Sequence, residues 1–170
     1  MISLVMAAAL GANVAMAAPL DEGFRGRTWG SAPSDADKAC KAVPDPITEG
    51  VKSIFCDEPL IKGHPLQVMA MYRYIDDRLS DITILYSGPQ SPSTCELLLE
   101  LATGAWGPQT SPAGSWASPR KWRTVSHDKV YGAVLWLDGR DCSLTVFDQS
   151  LVKEAEERKR LSLEKKAKEF

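Results

Sequence analysis

The sequence lacks the short motifs that mark most enzyme classes. It contains no Gly-x-Ser-x-Gly nucleophile motif and no glycine-rich phosphate-binding loop, and its four cysteines form no Cys-x-x-Cys pair. These absences disfavour a serine hydrolase, a nucleotide-binding loop, a zinc ribbon and a thioredoxin-type redox centre. We therefore expect a non-catalytic protein that holds no cofactor and no metal ion.

The chain also lacks a large excess of charge of either sign, and it contains only two histidines. The chain has 20 Lys and Arg against 22 Asp and Glu, whereas a nucleic-acid binder carries a strong positive excess, so no nucleic-acid partner is expected. His64 and His127 fall in predicted loops, where a solvated side chain is a better interpretation than a general base or a metal ligand. Asp76, Asp77 and Asp81 lack the Asp-x-Asp-x-Asp-Gly spacing of a calcium loop. Ordinary turn and strand positions explain these acids better.

The first twenty residues contain almost no polar side chains. No charged side chain occurs from Ile2 to Leu20, and an apolar run precedes Ala15-Met16-Ala17, which matches an A-x-A cleavage site. We predict a signal peptide over residues 1–17, with a periplasmic or secreted mature protein that has no stable membrane insertion. The segment lacks the usual Lys or Arg at its start, and the alternative is an uncleaved anchor of nearly spanning length.

Four cysteines in an exported chain indicate disulfide bonds. Three pairings of the four are conceivable. We favour Cys40–Cys56, which closes a local loop, and Cys95–Cys142, which ties the apolar stripe of a helix to a late strand. In the chain-entropy model, loops of these sizes contribute about 3 and roughly 4 kcal/mol.

The clearest secondary structure lies between Gln67 and Gly107. Alternating apolar and polar residues predict two strands that are joined by a turn at Asp76-Asp77-Arg78. Ser93 and Glu96 have the spacing of a capping box and predict a helix that ends at Gly107. Because this helix cannot bury its apolar stripe alone, we expect it to lie across the two strands.

Further strands and a second helix flank this stretch. The additional segments with strand patterns are Val51–Cys56, Arg120–Val125, Val130–Leu137 and Cys142–Phe147. Residues 150–170 contain seven Lys or Arg and five Glu, which predicts a charged helix that packs over its first turns and then projects. The sequence thus predicts an α+β domain over residues 18–149, with a single antiparallel sheet of about five to seven strands and a helix on one face, followed by the charged C-terminal helix.

An aromatic and basic cluster is the best candidate for a binding patch. Trp116, Arg120, Lys121, Trp122 and Arg123 lie close together in the sequence. Tryptophan and arginine are enriched in interface hot spots, and such a patch also suits carbohydrates or anions. The alternative interpretation places Trp122 in the core and lets Trp116 anchor its loop.

Three stretches resemble small, uncharacterised exported proteins of Gram-negative bacteria. They are Phe24-Arg25-Gly26 with Trp29-Gly30, the segment from Tyr72 to the helix end at Trp106-Gly107-Pro108, and the strands from Trp122 to Phe147. The resemblance implies a fold and a compartment, and it carries over no functional residues. The helix and hairpin units also resemble those of β-lactamase inhibitor proteins, in architecture only.

Three functions are open from the sequence. The first is an exported non-catalytic binding module, inhibitory or scaffolding, whose partner is an unidentified protein or envelope component. The second is an envelope structural or assembly factor that contacts its partner through Leu163, Ala167 and Phe170 of the C-terminal helix. The third, a small hydrolase, ranks last because neither a nucleophile motif nor a set of metal ligands is evident.

Overall fold

The computed structural model describes residues 19–60, 66–87, 91–110, 119–138 and 141–168. Within these ranges the chain forms seven strands, a short 3-10 helix (Asp35–Ala39) and two α-helices, α1 (Ser91–Trp106) and α2 (Gln149–Ala167). The strands are β1 (Lys41–Pro44), β2 (Val51–Pro59), β3 (Gln67–Ile75), β4 (Arg78–Ser87), β5 (Arg120–Ser126), β6 (Lys129–Asp138) and β7 (Asp141–Asp148). The predicted signal peptide lies outside the described residues.

All seven strands belong to one antiparallel sheet. Their order is β1-β2-β3-β4-β7-β6-β5, so two meanders meet where β4 pairs with β7. α1 connects the end of β4 to β5 at the far edge of the sheet. The predicted α+β class with a single antiparallel sheet is confirmed.

Two of the hairpins use tight turns that require left-handed backbone. Asp76 and Asp77 between β3 and β4 have φ angles of 47° and 60°, and His127 and Asp128 between β5 and β6 have 49° and 62°. Short polar residues tolerate this region better than most, and two consecutive positive φ angles suit the right-handed twist of a hairpin. His127 is thus a turn residue, with its Nδ1 3.0 Å from the Ser126 hydroxyl. His64 lies outside the described residues.

One face of the sheet is covered by α1. Successive side chains of a strand point to opposite faces of the sheet, so every second residue of each strand lies on this face. Leu98 and Ala102 of α1 are fully buried against it, as expected for a helix that packs its stripe on the sheet. The sheet contributes Ala70, Tyr72, Ile82, Ile84, Trp122, Ala133, Leu135, Leu144 and Val146 to this core.

α1 begins two residues earlier than the predicted capping box. The helix starts at Ser91, so Ser93 lies inside its first turn. A proline is tolerated in the first turn, where the missing N–H has no helical partner, and Pro92 therefore does not delay the start. The end is as predicted: Gly107 has a φ of 76° and donates its N–H to the carbonyl of Thr103 at 2.9 Å.

Both predicted disulfides are present. Cys40 pairs with Cys56, with the two Cα atoms 4.9 Å apart, and Cys95 pairs with Cys142, with the Cα atoms 5.8 Å apart. The first ties the end of the 3-10 helix to β2, and the second ties α1 to β7. Within the described ranges, neither α-helix combines the length and the apolar composition that crossing a bilayer requires.

The buried contacts of α2 with the domain lie in its first two turns. The Asp148 carboxylate caps the helix by accepting a hydrogen bond from the Ser150 N–H at 2.8 Å. Leu151 and Ala155 are buried and pack with Val51 and Ile75. From residue 156 to residue 168, no side chain of α2 is buried.

Ion pairs on α2 follow the i,i+4 spacing of its acidic and basic residues only in part. Glu154 and Arg158 pair at 2.6 Å, as the spacing indicates. Arg160 pairs with Glu157 and Glu164 and not with Glu156, although Glu156 also has the favourable i,i+4 spacing. The helix offers Arg160 acids at three neighbouring positions, and exposed pairs of this kind differ little in free energy.

Candidate functional site

The face of the sheet opposite α1 carries apolar side chains that are partly exposed. We call it the open face and define it by three rows of residues that lie side by side across the strands. The first row is Asp57, Met69, Leu85, Ser143 and Trp136, on β2, β3, β4, β7 and β6. Met69 is 42% exposed and Trp136 is 50% exposed, and Leu85 between them is half-buried.

The second row crosses all seven strands and has a lysine at each end. At its centre the hydroxyls of Thr83 and Thr145 are 3.0 Å apart and hydrogen-bond to each other. Lys41 and Lys121 at the two ends are exposed. The full row is Lys41, Phe55, Met71, Thr83, Thr145, Val134 and Lys121.

The third row contains a buried carboxyl group. Asp81 is nearly inaccessible, and burial raises the pKa of its carboxyl group, although Arg73 at 3.7 Å and a hydrogen bond from Ser80 oppose the rise. Next to it the Phe147 ring lies over Gly132, where an added Cβ would come within 2.6 Å of the ring. The full row is Val43, Ser53, Arg73, Asp81, Phe147, Gly132 and Arg123.

Trp136 stands between two shallow hollows of the open face. One, of about 380 Å³, reaches from Trp136 to Lys121 and to Val152 of α2. The other, of about 540 Å³, reaches from Trp136 to Met69 and Asp141. The tryptophan therefore projects as a ridge with an apolar recess on each side.

The structure separates the members of the predicted patch. Trp122 is only 3% exposed, its ring centroid is 5.8 Å from that of Trp106, and its indole N–H donates to the Gly107 carbonyl at 3.0 Å. Its position agrees with the alternative that Trp122 belongs to the core. Lys121 and Arg123 have the opposite parity on β5 and lie on the open face.

The two remaining members of that patch do not join Lys121. Arg120 shares the covered face with Trp122 and is half-buried, and its Nε and Nη1 atoms have no hydrogen-bond partner among the described residues. Trp116 lies outside the described residues. Sequence reasoning missed Trp136, the exposed tryptophan that accompanies Lys121, because it sits in the apolar run of β6. The available signal was parity, since Trp136 alternates with the buried Leu135.

A separate cavity, of about 800 Å³, lies between the segment at Arg25–Arg27, the 3-10 helix and β2. Arg25 forms an ion pair with Glu58 at 3.0 Å and donates to the carbonyls of Leu60 at 2.9 Å and Pro59 at 2.8 Å. These bonds engage both terminal nitrogens of its guanidinium. The arginine therefore holds the N-terminal segment against β2 through its terminal nitrogens, while its buried Nε has no hydrogen-bond partner among the described residues.

Arg27 is engaged in the same way by Asp37. Their closest atoms are 2.6 Å apart, and Tyr74 also hydrogen-bonds to this carboxylate at 3.3 Å. Burial alone would raise the pKa of Asp37, but hydrogen bonds from Arg27 and from the Ser34 backbone lower it below its usual value. The carboxyl group is thus held in its ionised form by the fold.

Asp37, Cys40 and Cys56 have the residue types of a metal site. One ligand-type atom from each residue lies within 4.8 Å of the others. The two sulfur atoms are bonded to each other and supply no thiolate for a metal ion. This grouping is a by-product of the disulfide.

Comparisons of the chain with family models, with curated proteins and with solved structures find no match.

Proposed function

We propose that the chain is an exported, non-catalytic binding module that holds a protein or envelope component against the open face of its sheet. The single observation that carries this proposal is the exposure of Trp136 and Met69 in one row with Leu85. Clustered exposed apolar side chains mark interaction surfaces, and tryptophan is the residue most enriched in interface hot spots. Methionine adapts its shape to a partner at little cost.

The proposed compartment is the periplasm or the exterior of the cell. Two disulfides support it, because such bonds persist in oxidising compartments. The predicted signal peptide over residues 1–17 points the same way. The resemblance to small exported proteins of Gram-negative bacteria agrees with this compartment.

Capture of partners with matched variants tests the proposal. The chain, a Trp136→Ser/Met69→Ser double variant and a Val125→Ser control are each immobilised and exposed to an envelope extract. Val125 is 63% exposed on β5 but lies beyond the three rows, so it controls for the loss of any surface apolar group. We expect proteins that are retained by the chain and the control and are lost from the double variant. Identical retention by all three would refute binding at the open face.

A second proposal is an envelope structural or assembly factor that acts through α2. Its support is the exposure of Leu161 and Leu163, at 51% and 46%, on the part of the helix that has no buried side chain. Ala167 is exposed as well, and Phe170 lies outside the described residues. A Leu161→Ser/Leu163→Ser variant in the same capture experiment separates the proposals, because it loses partners only if α2 makes the contact.

A further inference from the structure

We propose that the open face takes an acidic amphipathic segment of a partner protein, with apolar side chains in the hollows beside Trp136 and carboxylates over Lys121 and Arg123. This inference rests on the proposed function and specifies the chemistry of the partner. The partner is a peptide segment, and the experiment below distinguishes it from a lipid surface and from a second copy of the chain.

The charge on the β5 side of the open face supports an acidic partner. Lys121 and Arg123 are both exposed, and in the part of the chain that the structure describes neither side chain has an ion-pair partner. Some other cations of the sheet are paired, as Lys52 is with Asp77 at 2.5 Å, whereas Lys41 at the opposite edge has, like Lys121 and Arg123, no ion-pair partner among the described residues. Two unpaired cations beside an apolar surface provide complementary charge for carboxylates and reject basic segments.

These cations lie within reach of the same ligand that fills the hollows. Lys121 is directly opposite Val134 in the register of β5 and β6, and Trp136 is two residues further along β6. Directly opposite and diagonal neighbours of this kind are about 5 and roughly 7–8 Å apart. A carboxylate adjacent to an apolar side chain therefore reaches Lys121 while that side chain contacts Trp136.

The length of the apolar row sets the length of the segment. Trp136 on β6 and Met69 on β3 are separated by β7 and β4, which amounts to three strand spacings or about 14 Å. A helix rises 1.5 Å per residue, so about ten residues span this distance. An amphipathic helix of roughly three turns thus spans the hollow between Trp136 and Met69, and a slightly longer one extends past Trp136 to the hollow beside Lys121.

The carboxylates on the opposite side disfavour a lipid surface. Asp57 ends the first row, and Asp141 borders the hollow beside Met69. Both are exposed, and a flat anionic membrane that contacts Trp136 and Met69 would bring lipid phosphates close to them. A peptide segment avoids this repulsion, because its charges can differ along its length.

Two helical peptides of 14 residues test the inference directly. They share one leucine stripe and differ only in their flanking charges, which are Glu in one and Lys in the other. Binding of each labelled peptide to the full chain is measured by fluorescence anisotropy at low and at physiological salt. We expect the Glu peptide to bind at least about tenfold more tightly than the Lys peptide, with the difference smaller at the higher salt.

Variants connect that preference to the named residues. Lys121→Glu/Arg123→Glu is expected to reverse the preference, Trp136→Ser to weaken the Glu peptide about tenfold, and Val125→Ser to change nothing. Thermal melts of each variant show that the domain remains folded, as expected for exposed side chains.

The remaining outcomes overturn the inference. Equal affinity for both peptides would refute the preference for an acidic partner. So would tighter binding of the Lys peptide that depends on Trp136. Either result leaves the proposed function intact. Binding of neither peptide removes the inference, and the capture experiment then decides the proposed function separately. Binding of phosphatidylglycerol vesicles that requires Lys121 and Arg123 would identify a lipid surface instead. Self-association in sedimentation runs that Trp136→Ser abolishes would identify a second copy.

Discussion

The guanidinium carbon of Arg27 lies 3.9 Å from the centroid of the Tyr72 ring. The same tyrosine donates its hydroxyl hydrogen to Glu58 at 2.7 Å, and the same arginine pairs with Asp37 at 2.6 Å. One cation–π contact thereby joins the N-terminal segment, the 3-10 helix and the strands β2 and β3. Such contacts strengthen when they are desolvated, and the ring of Tyr72 is almost wholly buried.

This arrangement predicts a loss of stability at alkaline pH. Burial and the hydrogen bond to Glu58 raise the pKa of Tyr72 to about 12, from 10.0. The unfolded tyrosine releases its proton first, so the stabilisation is complete below pH 10 and is lost as the pH rises towards 12. We expect the urea midpoint to fall between pH 10 and pH 12, and to fall less in Tyr72→Phe. Tyr74, whose pKa burial also raises to about 12, accounts for the remaining slope. Equal slopes for the chain and Tyr72→Phe would contradict the assignment.

Replacing the buried carboxyl group of Asp81 with a neutral group should not destabilise the domain at neutral pH. Because burial raises the pKa of Asp81 in the folded state, the unfolded state gives up this proton at lower pH, and ionisation costs stability as the pH rises above the unfolded value. Asp81→Asn should therefore leave the thermal midpoint at pH 7 unchanged or higher. At pH 3, where the wild-type carboxyl is mostly protonated in both states, any advantage of the variant should vanish. The difference in stability between Asp81→Asn and wild type is compared at pH 7 and at pH 3. If the variant is disadvantaged at pH 7 but not at pH 3, the ion pair with Arg73 outweighs the cost of burying the charge.

The two disulfides are expected to differ in their contribution to stability. Cys95 and Cys142 are 47 positions apart in the sequence, and Cys40 and Cys56 are 16 positions apart. In the chain-entropy model the longer loop contributes about 1 kcal/mol more, and loss of either bond costs roughly 2–5 kcal/mol. Double Cys→Ser variants at each pair, which leave no free thiol partner, are compared by urea unfolding with Val125→Ser as the surface control. A larger loss from Cys40–Cys56 would show that native contacts around that bond, rather than loop closure, dominate.

The disulfide pairing was predictable because it depends on local periodicity. Cys142 shares strand parity with Leu144, and Cys95 shares the helix stripe with Leu98 and Ala102. Once the helix lies across that face, the two sulfur atoms are on facing surfaces, which favours this pairing over the other two. The faces of these two cysteines, the strands and the terminal helix all follow from patterns that a window of about ten residues contains.

The clamp at Arg25 and Arg27 was not predictable in the same way. Arg25 meets Glu58 and Arg27 meets Tyr74 across 33 and 47 positions of sequence, and no periodic pattern encodes such meetings. Trp136 was missed for another reason. β6 reads as a continuous apolar run, so periodicity alone does not reveal which of its faces α1 covers. Parity separates Trp136 from Leu135, but only the fold shows that the face of Leu135 is the covered one and that Trp136 is exposed.

The last prediction concerns removal of residues 161–170. Leu151 and Ala155 supply the buried side chains of α2, and Arg158 reaches Asp76 at 2.6 Å, so every one of these contacts survives the deletion. The deletion removes exposed ion pairs and a long, exposed hydrogen bond from Lys166 to the Pro46 carbonyl at 3.4 Å, all of which contribute little. We expect the thermal midpoint to fall by no more than about 2–4 °C, which corresponds to roughly 1 kcal/mol for a domain of this size.

Leu151→Ala is the matched variant within the same helix. Its side chain is buried, so its truncation should cost about 2–5 kcal/mol and lower the midpoint well below that of the shortened chain. Thermal melts of the chain, the deletion and Leu151→Ala give the comparison in one experiment. If the deletion proves as damaging as Leu151→Ala, the exposed half of α2 stabilises the domain, and the role of Leu161 and Leu163 in a partner contact loses its support. If the deletion is neutral, these two leucines have no structural role that accounts for their exposure, and the capture experiment with Leu161→Ser/Leu163→Ser becomes decisive for the assembly proposal.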